Sequence, residues 1–174
     1  MNIFITDVDP SECAAALADQ HVRSQIGETA RILTTALHRH GITDRLLGKP
    51  YNPNGRFARW AAEDWNHFMW LAMHGMALVD EYNHRFDRVH ANAKDIYIAG
   101  NLGYLMLGEQ PHLPAKWPRC KATEVLTDRD VFCAYQQVLR EKYAAWEKKG
   151  RGARWTGTHP PAWLTASFFA DHCP

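Results

Sequence analysis

The chain has 174 residues, 46% hydrophobic and 22% charged, enough to bury one substantial core and within the usual size of one domain. Twenty lysines and arginines against nineteen aspartates and glutamates give a formal net charge of +1, which excludes the overall field of an obligate polyanion binder and leaves nucleic-acid contact to a local patch. No stretch reaches the roughly 18 apolar residues needed to span a bilayer, and the opening MNIFITDVDP lacks a basic region followed by an apolar one. No membrane contact is therefore expected, and the cytoplasm is the expected compartment.

Residues 2 to 6 form a short apolar opening. Asp9-Pro10-Ser11-Glu12 then reads as an N-cap, a proline at the first helical position and an acidic first turn. Helix formers continue to about His40, with Val22, Ile26, Leu33 and Leu37 on one stripe and Gly41 as the stop. The first helical region thus covers about 10–40, as one long helix or as two with a bend near Asp19. The run Gly48 to Gly55 (GKPYNPNG) is a turn-rich loop by its glycine, proline and asparagine. Phe57, Trp60, Phe68, Leu71, Leu78 and Tyr82 then follow a helical period and predict a central, largely buried helix over about 57–88.

A short helix is expected from Ala93 to Leu107, followed by a proline-containing connection. Thr127-Asp128-Arg129-Asp130 resembles a capping box that opens a late helix, about 128–149, with Phe132, Tyr135, Leu139 and Trp146 on one face. From Arg151 the chain reads as irregular and pinned by Trp155 and Trp163. The expected fold class is mainly α, a compact helical bundle forming a single domain over 1–174 with a loop-rich C-terminal tail. Cys13, Cys120, Cys133 and Cys173 are scattered without C-x-x-C spacing, which speaks against a zinc site or a disulfide scaffold and predicts reduced thiols.

The first helical region holds polar side chains that a core face does not need. His21 and Glu28 are seven residues apart, so at 100° per residue they fall within about 20° of each other, with Gln25 between them. Arg31 neighbours Glu28 along the same surface, and Asp19 and Arg23 flank the start of the stripe. By spacing alone, an ordinary solvated face with i, i+3 and i, i+4 pairs has the same pattern.

Ala18-Asp19-Gln20-His21, followed by Glu28 and Arg31, resembles the first helix of the pyrimidine-dimer DNA glycosylases, the phage-type endonuclease V family. That helix carries an Ala-Asp-Gln-His run, a glutamate seven residues after the histidine and an arginine three residues later. A weaker likeness runs from Gly55 to Tyr82. The chain also resembles a broader set of phage-encoded proteins that open with Met-Asn-Ile-Phe and an Asp-x-Asp-Pro turn.

The glycosylase resemblance implies a reaction in which an N-terminal α-amine attacks the sugar C1′, expels the base and forms an imine that permits strand cleavage. An α-amine has a pKa of about 7.7 to 8.0, so a useful fraction is nucleophilic near neutral pH. By this resemblance Glu28 is the catalytic acid and base, and Arg31 with His21 holds sugar or phosphate; Gln25, between His21 and Glu28 on the helix, is a further substrate-binding candidate. The family exposes a small residue's amine, whereas here Met1 precedes the larger Asn2. Methionine is expected to remain, and Met1 and Asn2 are the candidates at the nucleophile position.

Lys148, Lys149, Arg151 and Arg154 lie close to Trp155, a composition suited to phosphate contact and base stacking. Arg151 and Arg154, together with Arg23 and Arg31, are the expected phosphate contacts, and His90 is a further substrate-binding candidate. None of the ten histidines falls in a metal-binding motif, and there is no phosphate loop, dinucleotide fingerprint or nucleophile elbow, so no metal or other cofactor is expected. The expected partner is DNA, with glycosylase and abasic-site lyase action on a damaged or modified base. Two alternatives stand beside it: a non-catalytic binder of a nucleotide or other small anion at His21, Glu28 and Arg31, and a metal-dependent hydrolase built on His21, Glu28 and His90.

Overall fold

A computed structural model describes residues 2–107 and 112–173. The helices are α1 (Pro10–Ala15), α2 (Asp19–Arg39), α3 (Arg56–Glu63), α4 (Trp65–Phe86), α5 (Ala93–Leu107), α6 (Val131–Lys148) and α7 (Ala166–His172), with a 3₁₀ turn at Ala162–Leu164. The protein is mainly α, and no strand occurs among the described residues. Among the same residues no helix is long and apolar enough to cross a membrane.

Asp9 caps α1 as its sequence context predicts, accepting from the backbone N–H groups of Ser11 and Glu12. The first helical region is two helices, and α2 begins at Asp19. Gly41, at φ +74°, ends α2 in the left-handed conformation that favours glycine. The central helix expected over 57–88 is instead two helices, divided at Asp64. That residue is extended, and its carboxylate caps α4 at the Asn66 N–H. Hydrophobic period alone does not reveal the break, because the apolar stripe runs through it. The late helix starts at Val131, with Asp130 accepting from the Phe132 and Cys133 N–H groups.

The N-terminal segment crosses the interior, with Ile3, Phe4 and Ile5 buried. α2 packs against α3, α4 and α5, and α1 against α4. At Gly75 the helices approach so closely that an added Cβ would lie 2.8 Å from Thr29 Cγ2 and 3.1 Å from Ile96 Cγ2. Glycine is thus the residue that lets α2 and α5 both close on α4.

The tail departs from the irregular chain expected. It contains α7, and it folds back on α6, where Arg140 donates to the Trp163 and Thr165 carbonyls. This return brings Cys173 to Cys133, and the two form a disulfide across a sequence separation of 40. The expectation of reduced thiols therefore holds for Cys13 and Cys120, both buried, and not for this pair. Spacing fails as a guide here because the tail's fold places distant cysteines together.

Candidate functional site

The turn from α1 to α2 is built around a buried guanidinium. Arg85, on α4, donates to the Leu17 and Ala15 carbonyls at 2.7 and 2.8 Å and to Asp19 Oδ1 at 3.2 Å, and it pairs with Glu81 at 2.7 Å. Asp19 in turn accepts from the Thr156 hydroxyl at 2.7 Å and from the Thr156 N–H. Gln20 donates to the Gly152 carbonyl, and the Asp19 N–H to the Arg154 carbonyl. Asp19 and Gln20 thereby anchor the tail to the start of α2.

His21 is also an interior residue, only 4% exposed. Its ring packs among Phe4, Tyr143 and Trp146, and Nδ1 lies 2.9 Å from the Tyr143 hydroxyl. That hydroxyl also accepts from the Ala18 N–H, so the backbone at the start of α2 and the His21 ring meet on one Tyr143 oxygen. Burial, aided by the nearby Lys142 charge, holds the His21 pKa down to about 3. The ring is therefore neutral at physiological pH, and it does not supply a cation for phosphate.

One and two turns further along α2 lie Gln25 and Glu28. The backbone N–H of Asn2 donates to Glu28 Oε2 at 2.6 Å, and Gln25 Nε2 donates to the Asn2 carbonyl at 2.9 Å. Both polar groups of Asn2's backbone are thus bound by one face of α2, where Gln25 and Glu28 are neighbours three residues apart. Met1 lies outside the described residues. Buried atoms along the same face, His21 Nε2, Gln25 Oε1 and Thr29 Oγ1, have no hydrogen-bond partner among the described residues. The face retains unspent hydrogen-bonding capacity next to a half-buried carboxylate.

Lys142 and Trp146, one turn apart on α6, complete this corner. The Lys142 ammonium stands 5.0 Å from the Phe4 ring centroid and 5.6 Å from that of Trp146. It interacts electrostatically with Glu28, yet burial outweighs that attraction and lowers its pKa. Sequence reading did not single out Lys142. The available signal was a lysine on the apolar side of the late helix, four residues before Trp146.

The remaining predicted residues separate into other places. Arg31 is exposed, with its guanidinium 5.7 Å from the Tyr51 ring. The Tyr51 backbone is tied to α2 through the Thr35 hydroxyl. Arg23 sits on a different face of α2, 4.2 Å above the Phe86 ring. With Gln20, Arg151, Gly152 and Arg154 it lines an open cleft of about 270 Å³. It also lines a second cleft with Tyr82, Phe86 and Arg88. His90 packs edge-on to Tyr82, accepts from the Asn92 N–H, and has its pKa lowered by burial. Trp155 is a packed residue, donating to the Ala16 carbonyl and meeting Tyr143 edge to face. Among the described residues no three His, Cys, Asp or Glu side chains are grouped to hold a metal ion, so the His21, Glu28 and His90 arrangement is not assembled.

The fold and this corner define a helical protein in which an N-terminal segment is held against a carboxylate on the first long helix, with an arginine-lined surface nearby. The family model described as pyrimidine dimer DNA glycosylase matches residues 1–95, and the chain belongs to this family. Membership carries a DNA glycosylase-type activity with DNA as the substrate. The matched part contains Asn2, His21, Gln25, Glu28 and Arg31, whereas Lys142, Arg151 and Arg154 lie beyond it. No curated protein and no solved structure matches the chain.

Proposed function

We propose that this protein is a DNA glycosylase with associated abasic-site lyase activity, acting in the cytoplasm on a damaged or modified base. The observation that carries the reading is the 2.6 Å contact between the Asn2 backbone nitrogen and Glu28. It sets the N-terminal segment and a proton-transferring carboxylate at one point, which is the arrangement that sugar C1′ chemistry at a family glutamate needs. Glu28 accepts and returns protons and stabilises positive charge on the sugar. Gln25 and Asn2 hold the carboxylate's surroundings in register, His21 fills the neutral floor beneath them, and Arg31 meets a phosphate near the lesion. Reaching the base requires distortion of the duplex, which a weakened, damaged base pair makes less costly.

The test is incubation with duplexes that carry one pyrimidine dimer or one abasic site, with and without borohydride. Cleavage at the lesion and a covalent protein–DNA product are expected; intact strands and no covalent product from either duplex would overturn the reading.

The cleft lined by Arg23, Arg151 and Arg154 favours phosphate contact alongside the lesion, and His90 packs on Tyr82, which lines the second cleft with Arg23 and Arg88. Arg154→Ala should lower the slope of log affinity against log salt by about 1, with the preference for damaged over undamaged duplex unchanged. An unchanged slope would remove Arg154 from the interface. The same cleft also supports the second reading, a binder of a small anion. Under that reading free nucleotides raise the melting temperature and duplex DNA does not.

A further inference from the structure

We propose that Tyr51, an exposed ring beneath the Arg31 guanidinium, is an aromatic contact of the DNA site and stacks on a base of the damaged strand beside the lesion. The inference rests on the glycosylase reading above, which sets the lesion at Glu28, and adds a residue that recognises the opened flank.

The run from Gly48 to Gly55 has the composition of a pliant turn, yet three side chains of α2 fix it. His38 Nε2 lies 3.2 Å from the Gly48 carbonyl, and Arg39 donates to the Pro53 carbonyl at 3.0 Å. Between them the buried Thr35 hydroxyl accepts from the Tyr51 N–H at 2.9 Å and stands 3.2 Å from the Tyr51 carbonyl. Asn52 follows in the left-handed conformation, at φ +51°, and its carbonyl accepts from the Gly55 N–H at 2.8 Å. Both backbone groups of Tyr51 are thus tied to the helix while the residue stays 55% exposed. So exposed a ring adds little to the core. On a backbone this firmly held, it is pre-organised for contact at small entropic cost.

Helical register sets the ring along the face that carries Glu28. Thr35 is seven residues after Glu28, so the two point within about 20° of each other and lie about 10 Å apart along the axis. Arg31 is between them, its guanidinium 5.7 Å from the Tyr51 ring centroid. Among the described residues no carboxylate pairs with Arg31, and residues 45–55 hold Arg45 and Lys49 and no acid. The charge around the ring therefore suits a polyanion. A strand with its reacting sugar at Glu28 and a phosphate at Arg31 continues toward Thr35. At roughly 3.4 Å per nucleotide, the base that meets Tyr51 is about three positions from the lesion. In intact duplex the faces of that base are covered by its neighbours. Stacking on Tyr51 needs the local opening that a damaged pair makes less costly, so the ring favours the lesion over undamaged DNA.

The experiment uses the full chain. In duplexes with an uncleavable abasic analogue, 5-iodouracil is placed in turn at each of the four nucleotides on either side of it in the damaged strand, and photo-crosslinks are mapped by mass spectrometry. A crosslink to Tyr51 is expected, strongest about three nucleotides from the lesion. Tyr51→Ala should weaken binding to the lesion duplex roughly 5- to 100-fold, the range of a base–aromatic stack. Its affinity for undamaged duplex and its single-turnover rate at saturating protein should change by less than about twofold. Tyr51→Phe keeps the ring and should bind as wild type does. Because the ring is exposed, both variants should melt within about 2 °C of wild type. The crosslink needs no variant and decides the matter even where Tyr51→Ala fails to fold. Crosslinks that never reach Tyr51, or an unchanged lesion preference in a folded Tyr51→Ala, overturn the proposal, and wild-type cleavage of dimer and abasic duplexes then leaves the glycosylase reading standing. Wild-type protein that leaves both duplexes uncut overturns both.

Discussion

Glu28→Gln should reduce lesion cleavage and adduct formation by about 10² to 10⁴-fold, the usual contribution of a positioned acid and base, while leaving damaged-duplex affinity nearly unchanged. Glutamine has almost the same shape, and its carbonyl can still accept from the Asn2 N–H at the position where Glu28 Oε2 now does. What it loses is the capacity to take and return a proton. Exchanging a charged for a neutral acceptor in one half-buried hydrogen bond costs about 1 kcal/mol, so the fold survives and the rate is a clean reading of chemistry. The two functional readings predict different outcomes. A catalyst loses rate when Glu28 becomes neutral, whereas a small-anion binder in the cleft of Arg23, Arg151 and Arg154, which Glu28 does not line, keeps its nucleotide affinity. Single-turnover cleavage on abasic duplex and nucleotide titration by thermal shift, run on the same protein, separate them. Unaltered cleavage by a folded Glu28→Gln would remove Glu28 from the reaction.

The sequence pattern located the helical face that binds the Asn2 backbone, because spacing on a helix fixes direction. His21, Gln25 and Glu28 do share a face, and the Asn2 backbone lies along it. Pattern did not show which of those polar residues are interior. Asp19, Gln20 and His21 look like an exposed stripe until Arg85, Tyr143 and the 152–156 segment are brought to them across 66 to 137 residues of sequence. The predicted arginines also divide, since Arg23 and Arg31 are eight residues apart but serve different neighbours, Phe86 and Tyr51. Lys142 escaped notice for the same reason as the Cys133–Cys173 bond. Each acquires its meaning from a long-range contact, with Phe4 in one case and with the returning tail in the other.

The Arg85 cluster carries the largest expected effect on stability. Its side chain has no solvent exposure, and that of Asp19 has 9%. Five contacts converge on the guanidinium: two carbonyls at the end of α1 and the turn after it, Asp19 once, and Glu81 through two nitrogens. Arg85→Met keeps much of the volume and removes every donor. Asp19 then remains buried with only the Thr156 contacts, and the Ala15 and Leu17 carbonyls lose their side-chain donor. Removing one partner of a buried pair typically costs about 3–5 kcal/mol, which for a chain of this size lowers the melting temperature by roughly 10 °C or more. Arg85→Lys should recover little of this, since one ammonium cannot span positions that a planar fork reaches on both sides. Asp19→Asn in the Arg85→Met background should cost less than in the wild type, because the unpaired buried charge is then removed. Because Asp19 opens α2 and ties it to the tail beside the arginine-lined cleft, the folded fraction of Arg85→Met should also show a weaker duplex salt dependence. Thermal melts of the four proteins in the cycle measure the coupling directly. A melting temperature for Arg85→Met within 2 °C of wild type would show that the cluster does not hold this turn together.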